Sequence, residues 1–345
     1  SSTIYALLKE DLKRGCLIPP LVLAMSQVEN IDPEKMKYDE LMAFILKKSD
    51  RLLIIDGLQR TYTIIEIETE LCENNDEQIL KTFYKHKIRI ELYVGINRIG
   101  ILYRMLTLNT GQTPMSLRHQ IEILYSDYLN HTIGDIVLIR EADNTRISKI
   151  NEYNFRDTIE GFNSYLERNE LPIDKLNLLE NIKGLEKLAT ENQSIDLFKE
   201  FLLSFKSFIT RLNTLMPEWR FANEGSPSIG SPFGTNIESI FKRPQVLTGF
   251  GAAVGRLKDY KIINGFEDIQ NAINNISFET APNDSLVNLL FKLDNIRNTS
   301  KKIGNAQRMY FQYFFRELFN QQSDSYPFID RAIDNSYQKY LSQTV

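Results

Sequence analysis

The stretch that most constrains this chain is Leu52–Ile67, LLIIDGLQRTYTIIEI. Its opening apolar run, β-branched towards the end, reads as a short buried strand. Asp56-Gly57 breaks that strand as a turn. From Thr61 to Cys72 the spacing becomes helical, which predicts Ile64, Ile65, Leu71 and Cys72 facing inward and Glu66, Glu70 and Glu73 facing outward. An anion at the start of such a helix would meet free backbone N–H groups and the positive end of the helix dipole. Arg60 could add a bidentate, charge-assisted contact. Asp56 repels phosphate, so it suits Mg²⁺, a positioned water, or the orientation of Arg60. A plain structural reading stands beside this one: Asp-Gly is a common turn, and Arg60 can pair with a nearby acid.

The segments around it fit a small α/β domain. Ile4–Arg14 reads as a short amphipathic helix ended by Gly15, and Tyr38–Lys47 as another with Leu41, Phe44 and Ile45 inward. In Cys16–Ala24 the paired Pro19-Pro20 forbid a regular central ladder, so a strand there enters at an edge or just after the prolines. Lys87–Val94 alternates as a half-exposed strand, with Ile88, Ile90, Leu92 and Val94 on one face. Ile96–Leu108 places Ile99, Leu102, Tyr103 and Leu106 on a helical stripe that Asn109-Thr110-Gly111 ends. Ser116 is an N-cap for a helix over Leu117–Leu129.

Beyond residue 130 the character changes. Helices are expected over Asn154–Arg168, Asp174–Ala189, Ser194–Leu215, Ile237–Tyr260, Ser285–Arg297, Gly304–Gln321 and Asp330–Leu341. The stripe of Leu197, Phe198, Phe201, Leu202, Phe205 and Phe208 reads as core. Phe221–Asn236, rich in Gly, Ser and Pro, is a loop and a candidate lid, without the GK[ST] ending of a P-loop. The expected fold class is α+β: a small mixed-sheet domain over 1–130, then an all-helical domain over 131–345.

Charge and cysteine content narrow the function classes. A net charge of -4 argues against a generic electrostatic DNA binder, which would carry a basic domain, and leaves room for a local basic groove. Nothing approaches the roughly 18 apolar residues that span a bilayer, so no membrane partner is expected. The N-terminal SSTIYALLKEDLKRG lacks the apolar core of a signal peptide. Cys16 and Cys72 are too few for a disulfide framework or a zinc site, which points to a reduced, cytoplasmic setting. Both sit in apolar stretches and read as inert core thiols.

Two stretches together resemble a known family. Ile54-Ile55-Asp56-Gly57-Leu58-Gln59-Arg60-Thr61 is similar to the DGQQR and DGQHR signatures of the ParB/sulfiredoxin-like superfamily. Leu108-Asn109-Thr110-Gly111-Gln112-Thr113-Pro114-Met115-Ser116 resembles the second, N-T-G-G-T-P-L-S-like signature found in GmrSD-type restriction proteins and, more loosely, in DndB-like proteins. Gly15–Leu23 resembles their proline-containing lead strand. The resemblance covers residues 4–130. It departs at Leu58, where Gln is usual, and at Gln112, often Gly.

The resemblance implies a nucleoside triphosphate pocket, for ATP or GTP with Mg²⁺. In it Asp56 would be the metal-holding or water-positioning acid and Arg60 its catalytic partner. Gly57 would allow close backbone approach, and Gln59, Arg60 and Thr61 would touch phosphates. Asn109, Thr110 and Gln112 would form the opposite wall. Phosphoryl transfer asks for such positioning and charge neutralisation rather than a covalent nucleophile.

Two functions follow from this resemblance. One is a nucleotide-binding, NTP-hydrolysing protein of a DNA-modification, restriction or phage-defence system, acting on DNA or on a modification or nuclease partner. The other is a non-catalytic DndB-like regulator or adaptor with a vestigial pocket. A homo-oligomer is compatible with either. Sulfiredoxin chemistry is disfavoured because Leu58-Gln59 stand where its reactive Cys would be. With only His86, His119 and His131, no nuclease metal arrangement is visible.

Overall fold

The computed structural model describes residues 2–26, 32–74, 77–96, 98–108, 133–140, 149–171, 196–222 and 229–344, with positions 122, 125 and 129. The chain divides into two compact units, Ser1–Met115 and Ser116–Val345, fifteen residues before the break expected from the sequence.

The first unit is built on a three-stranded mixed sheet of order β2-β1-β3. β1 (Leu21–Ser26) begins directly after Pro19-Pro20 and is the central strand. This is compatible with the prolines because both precede the ladder. It pairs antiparallel with β2 (Leu52–Asp56) and parallel with β3 (Ile90–Ile96). β3 starts later than the alternation suggested, and Ile88 and Ile90 are exposed.

Among the described residues this unit also has helices α1 (Ser2–Lys13), α2 (Tyr38–Lys47), α3 (Leu58–Glu73), α4 (Glu77–Phe83) and α5 (Arg98–Leu108). Leu12 of α1 packs with Ile67 and Leu71 of α3, and Leu8, Ile18, Ile64, Leu80 and Phe83 close over them. Lys9 bonds Glu66 at 2.8 Å and also Glu70, and Lys13 bonds Glu70 at 3.2 Å, tying α1 to α3.

Four residues differ from the inward placement expected. α3 buries Thr63, Ile67 and Leu71, while Ile65 and Cys72 face solvent. Cys16 is exposed as well, so neither thiol is a core thiol. α5 buries Ile101 and Met105 and turns Tyr103 outward.

The second unit is mostly helical, with α6 (Phe155–Glu167), α7 (Leu197–Leu215), α8 (Ile237–Phe241), α9 (Pro244–Asp259), α10 (Phe266–Asn275), α11 (Pro282–Thr299), α12 (Ile303–Phe319) and α13 (Ile329–Thr344). It is not all-helical: β4 (Val137–Ile139) and β5 (Glu152–Asn154) form a short parallel pair. The expected helix over Ile237–Tyr260 is two helices, because Pro244 takes the first position of α9 and has no N–H to continue α8. α10 was not anticipated. The expected helix over Asp174–Ala189 lies outside the described residues, as does that over Leu117–Leu129 except at positions 122, 125 and 129.

The expected aromatic stripe is core. Phe198, Phe201, Phe205 and Phe208 are buried on α7, and Phe208 and Phe250 meet Phe315 and Phe319 edge-on. α9 lies against both α6 and α12 through small residues. A Cβ on Gly251 would overlap the Gly161 carbonyl, and one on Gly249 would stand 2.6 Å from Phe311 Cβ. Arg308 of α12 binds Glu160 of α6 at 2.7 Å and the Thr248 hydroxyl of α9 at 2.8 Å. At the end of α8, Lys242 Nζ donates to the Glu152 carbonyl at 3.0 Å and lies 4.6 Å from the Tyr153 ring centroid.

Candidate functional site at the β2–α3 junction

β2 ends at Asp56, which lies opposite Val22 of β1. Gly57 then turns the chain with φ +94°, a left-handed conformation that costs glycine little and other residues more. A Cβ there would stand 2.6 Å from Leu21 Cδ2 and 3.0 Å from Arg60 Nη2. Glycine is therefore required on two grounds, conformation and space. α3 starts at the next residue with no side-chain cap, because Gly57 has no side chain to offer. The first N–H groups of a helix lack partners within it, so the head of α3 is a cluster of donors in a positive field.

Arg60 does not extend from this cluster. It folds back, and Nη2 donates to Asp56 Oδ2 at 2.7 Å and to the Pro20 carbonyl at 3.1 Å. Only 12% and 15% of the Arg60 and Asp56 side-chain surfaces are exposed. Nη2 carries two hydrogens and meets two acceptors, so it is fully used. Arg60 Nε is buried without a hydrogen-bond partner. One guanidinium thus links the entry to β1, the end of β2 and the first turn of α3. Thr61 is also turned inward: its N–H and Oγ1 reach the Gly57 carbonyl at 2.9 Å and 3.1 Å. Gln59 and Leu58 are exposed.

Asp56, Gly57, Gln59, Arg60 and Thr61 therefore meet at one strand–helix junction. Asn109, Thr110 and Gln112, expected on its opposite wall, lie outside the described residues, as do His119 and His131. Among the described residues no three or more His, Cys, Asp or Glu side chains gather where they could hold a metal. Asp56 alone could supply one ligand through the oxygen that Arg60 leaves. Mg²⁺ in nucleotide sites takes one or two carboxylates together with phosphate oxygens, so that single ligand suits an ion arriving with a triphosphate.

Sequence reasoning missed the bond from Arg60 to the Pro20 carbonyl. Its only trace was proximity in the fold of two segments forty residues apart. Among the described residues no helix is long and apolar enough to cross a membrane. No family profile matches the chain, and no match to it was found among curated proteins or solved structures.

Proposed function

We propose that the first unit binds a nucleoside triphosphate, with phosphates at the head of α3, and that occupancy regulates DNA engagement or a partner in a DNA-modification, restriction or phage-defence system. The observation that carries the binding step is the uncapped start of α3 directly after the positive-φ Gly57, beside exposed Gln59. Backbone donors at a helix start need no side-chain machinery to hold phosphate. The biological setting rests on the resemblance of Ile54–Thr61 and Leu108–Ser116 to the GmrSD-type and DndB-like signatures.

Turnover asks more of the site than binding does. Arg60 would have to leave Asp56 and Pro20 to meet a γ-phosphate, and Asp56 would then be free for Mg²⁺ or water. The inward bonds of Arg60 favour the second reading for the chemical step, a regulator or adaptor that binds without hydrolysis.

Gln59→Glu tests binding without disturbing the fold. A carboxylate in the first helical turn suits the dipole, so the variant keeps its melting temperature. The same charge repels phosphate. In calorimetric titrations with ATP and with GTP, each with Mg²⁺, the unaltered chain should bind one of them and the variant should lose at least tenfold in affinity. No binding of either nucleotide by the unaltered chain, or equal binding by the variant, would remove the proposal. Phosphate release measured alongside separates the two readings.

A further inference from the structure

α3 carries a second apolar stripe, on the side away from its core contacts. Leu58, Tyr62, Ile65, Thr69 and Cys72 follow one another at spacings of four, three, four and three residues. That is the a/d pattern of a coiled-coil seam. The opposite face, Thr63, Ile67 and Leu71, is the one buried. All five seam residues are exposed, with Leu58 at 41%, Tyr62 at 60% and Ile65 at 51%. Apolar residues scattered singly over a surface need no explanation, but Leu58, Tyr62, Ile65 and Cys72, with Thr69 completing the register, form a continuous stripe on one helix.

The flanks of the seam decide what it can accept. In this register the positions beside it are Gln59, Glu66 and Glu73 on one side and Thr61 and Glu68 on the other. Every charged flanking residue is acidic. Glu66 is bonded to Lys9 and Glu68 to the Tyr84 hydroxyl at 2.7 Å, yet Glu66 keeps 62% of its side-chain surface exposed and Glu73 is exposed. Flanking charges set the choice of partner in helix pairs. A second copy of α3 running alongside would bring carboxylates against carboxylates, whereas a helix with Lys or Arg beside its own seam would find complementary charge.

We infer that the outer face of α3 docks an amphipathic helix of a partner protein that carries basic residues on both sides of an apolar seam. The recognition is helix on helix: apolar side chains supply the contact, and the acidic flanks select against acidic or like partners. α3 is already folded against α1, so docking does not require a new helix to form on this side.

The test uses the full chain and two synthetic helical peptides of four heptads. Both have Leu and Ile at the seam; one has Lys and the other Glu at every flanking position. Fluorescence anisotropy should show the Lys peptide binding at least tenfold more tightly than the Glu peptide. Tyr62→Ser/Ile65→Ser should abolish binding with the melting temperature kept, because both side chains are exposed. Glu66→Lys/Glu73→Lys should narrow or reverse the preference between peptides. Equal affinity for both peptides, or no binding to either, would overturn the inference. So would concentration-dependent self-association in light scattering that Ile65→Ser removes, since the occupant would then be a second copy.

Discussion

Arg60 reaches back one turn of α3 to Asp56, Nη2 to Oδ2 at 2.7 Å, and the same nitrogen holds the Pro20 carbonyl at 3.1 Å. Removing either side chain leaves a largely buried charge without its partner, which costs more than the pair is worth as a whole. Asp56→Ala and Arg60→Ala should each lower stability by about 3 kcal/mol in urea titrations, the low end for a pair that is not fully buried. The double variant should lose clearly less than the sum, because the second deletion removes the orphan left by the first. Additive losses would mean that the two side chains act separately. Any loss of nucleotide binding in these variants must be read beside their melting curves.

Gly57 can be tested apart from the charges. Alanine at φ +94° is strained, at about 1–3 kcal/mol, and its Cβ would press on Leu21. Gly57→Ala should unfold the first unit at lower denaturant, with tryptophan fluorescence of the second unit unchanged at the same urea concentration. Trp219, the sole tryptophan, makes that readout specific to the second unit. An unchanged circular-dichroism transition would contradict the strained turn.

Gly251→Ala probes the opposite kind of constraint, space without strain. The added methyl would meet the Gly161 carbonyl across the contact of α6 and α9, where backbone cannot yield as a side-chain end can. Overpacking usually costs about 1–3 kcal/mol, and this site should lie at or above the top of that range. A melting temperature within a degree of the unaltered protein would show that the helices can part freely.

Lys242 gives the second unit a pH signature. Burial pushes its ammonium down to about 8 from the ordinary 10.5, with Glu238 and Glu152 opposing the shift. Between these values the unfolded chain holds a proton that the folded chain has released, so stability rises with pH across that window. Discounted for solvent screening, the rise is about 1 kcal/mol. Unfolding midpoints at pH 7.5 and 9.5 should show it in the unaltered chain and not in Lys242→Met. Equal slopes for the two proteins would place the titration elsewhere.

The strand–turn–helix at residues 52–73 could be read directly because its signals are local: an apolar run, an Asp-Gly turn, then a change of period. Which face of α3 lies inside could not. The helix carries two apolar stripes, and periodicity cannot say which one finds a neighbour, so the pattern alone points Ile65 and Cys72 inward while the fold exposes them. Exposure of Cys72 follows from the same ambiguity, since a thiol in an apolar stretch can still fall on the outer stripe, whereas Cys16 lies in the connection between α1 and β1. α8 and α9 read as one helix because apolar spacing continues across Pro244, although the proline itself carries the signal for a break. The β4–β5 pair joins three-residue strands through a long connection, too little pattern for sequence to register. At the site, the sequence places Asp56, Gly57 and Arg60 within five residues, but the carbonyl of Pro20 is invisible in it because backbone acceptors have no residue identity.

The parallel pairing of β1 with β3 also bears on how the first unit folds. Leu21 meets Ile90 only after the chain between them, which holds α2, β2, α3 and α4, has been brought round. Contacts so distant in sequence slow folding, because loop closure must precede the reward of pairing. The helices of this unit can form early, while its central strand is left with an open edge until β3 arrives. During synthesis that edge stays unpaired until residue 96 has left the ribosome, a window in which β1, rich in Leu and Val, is exposed to wrong partners.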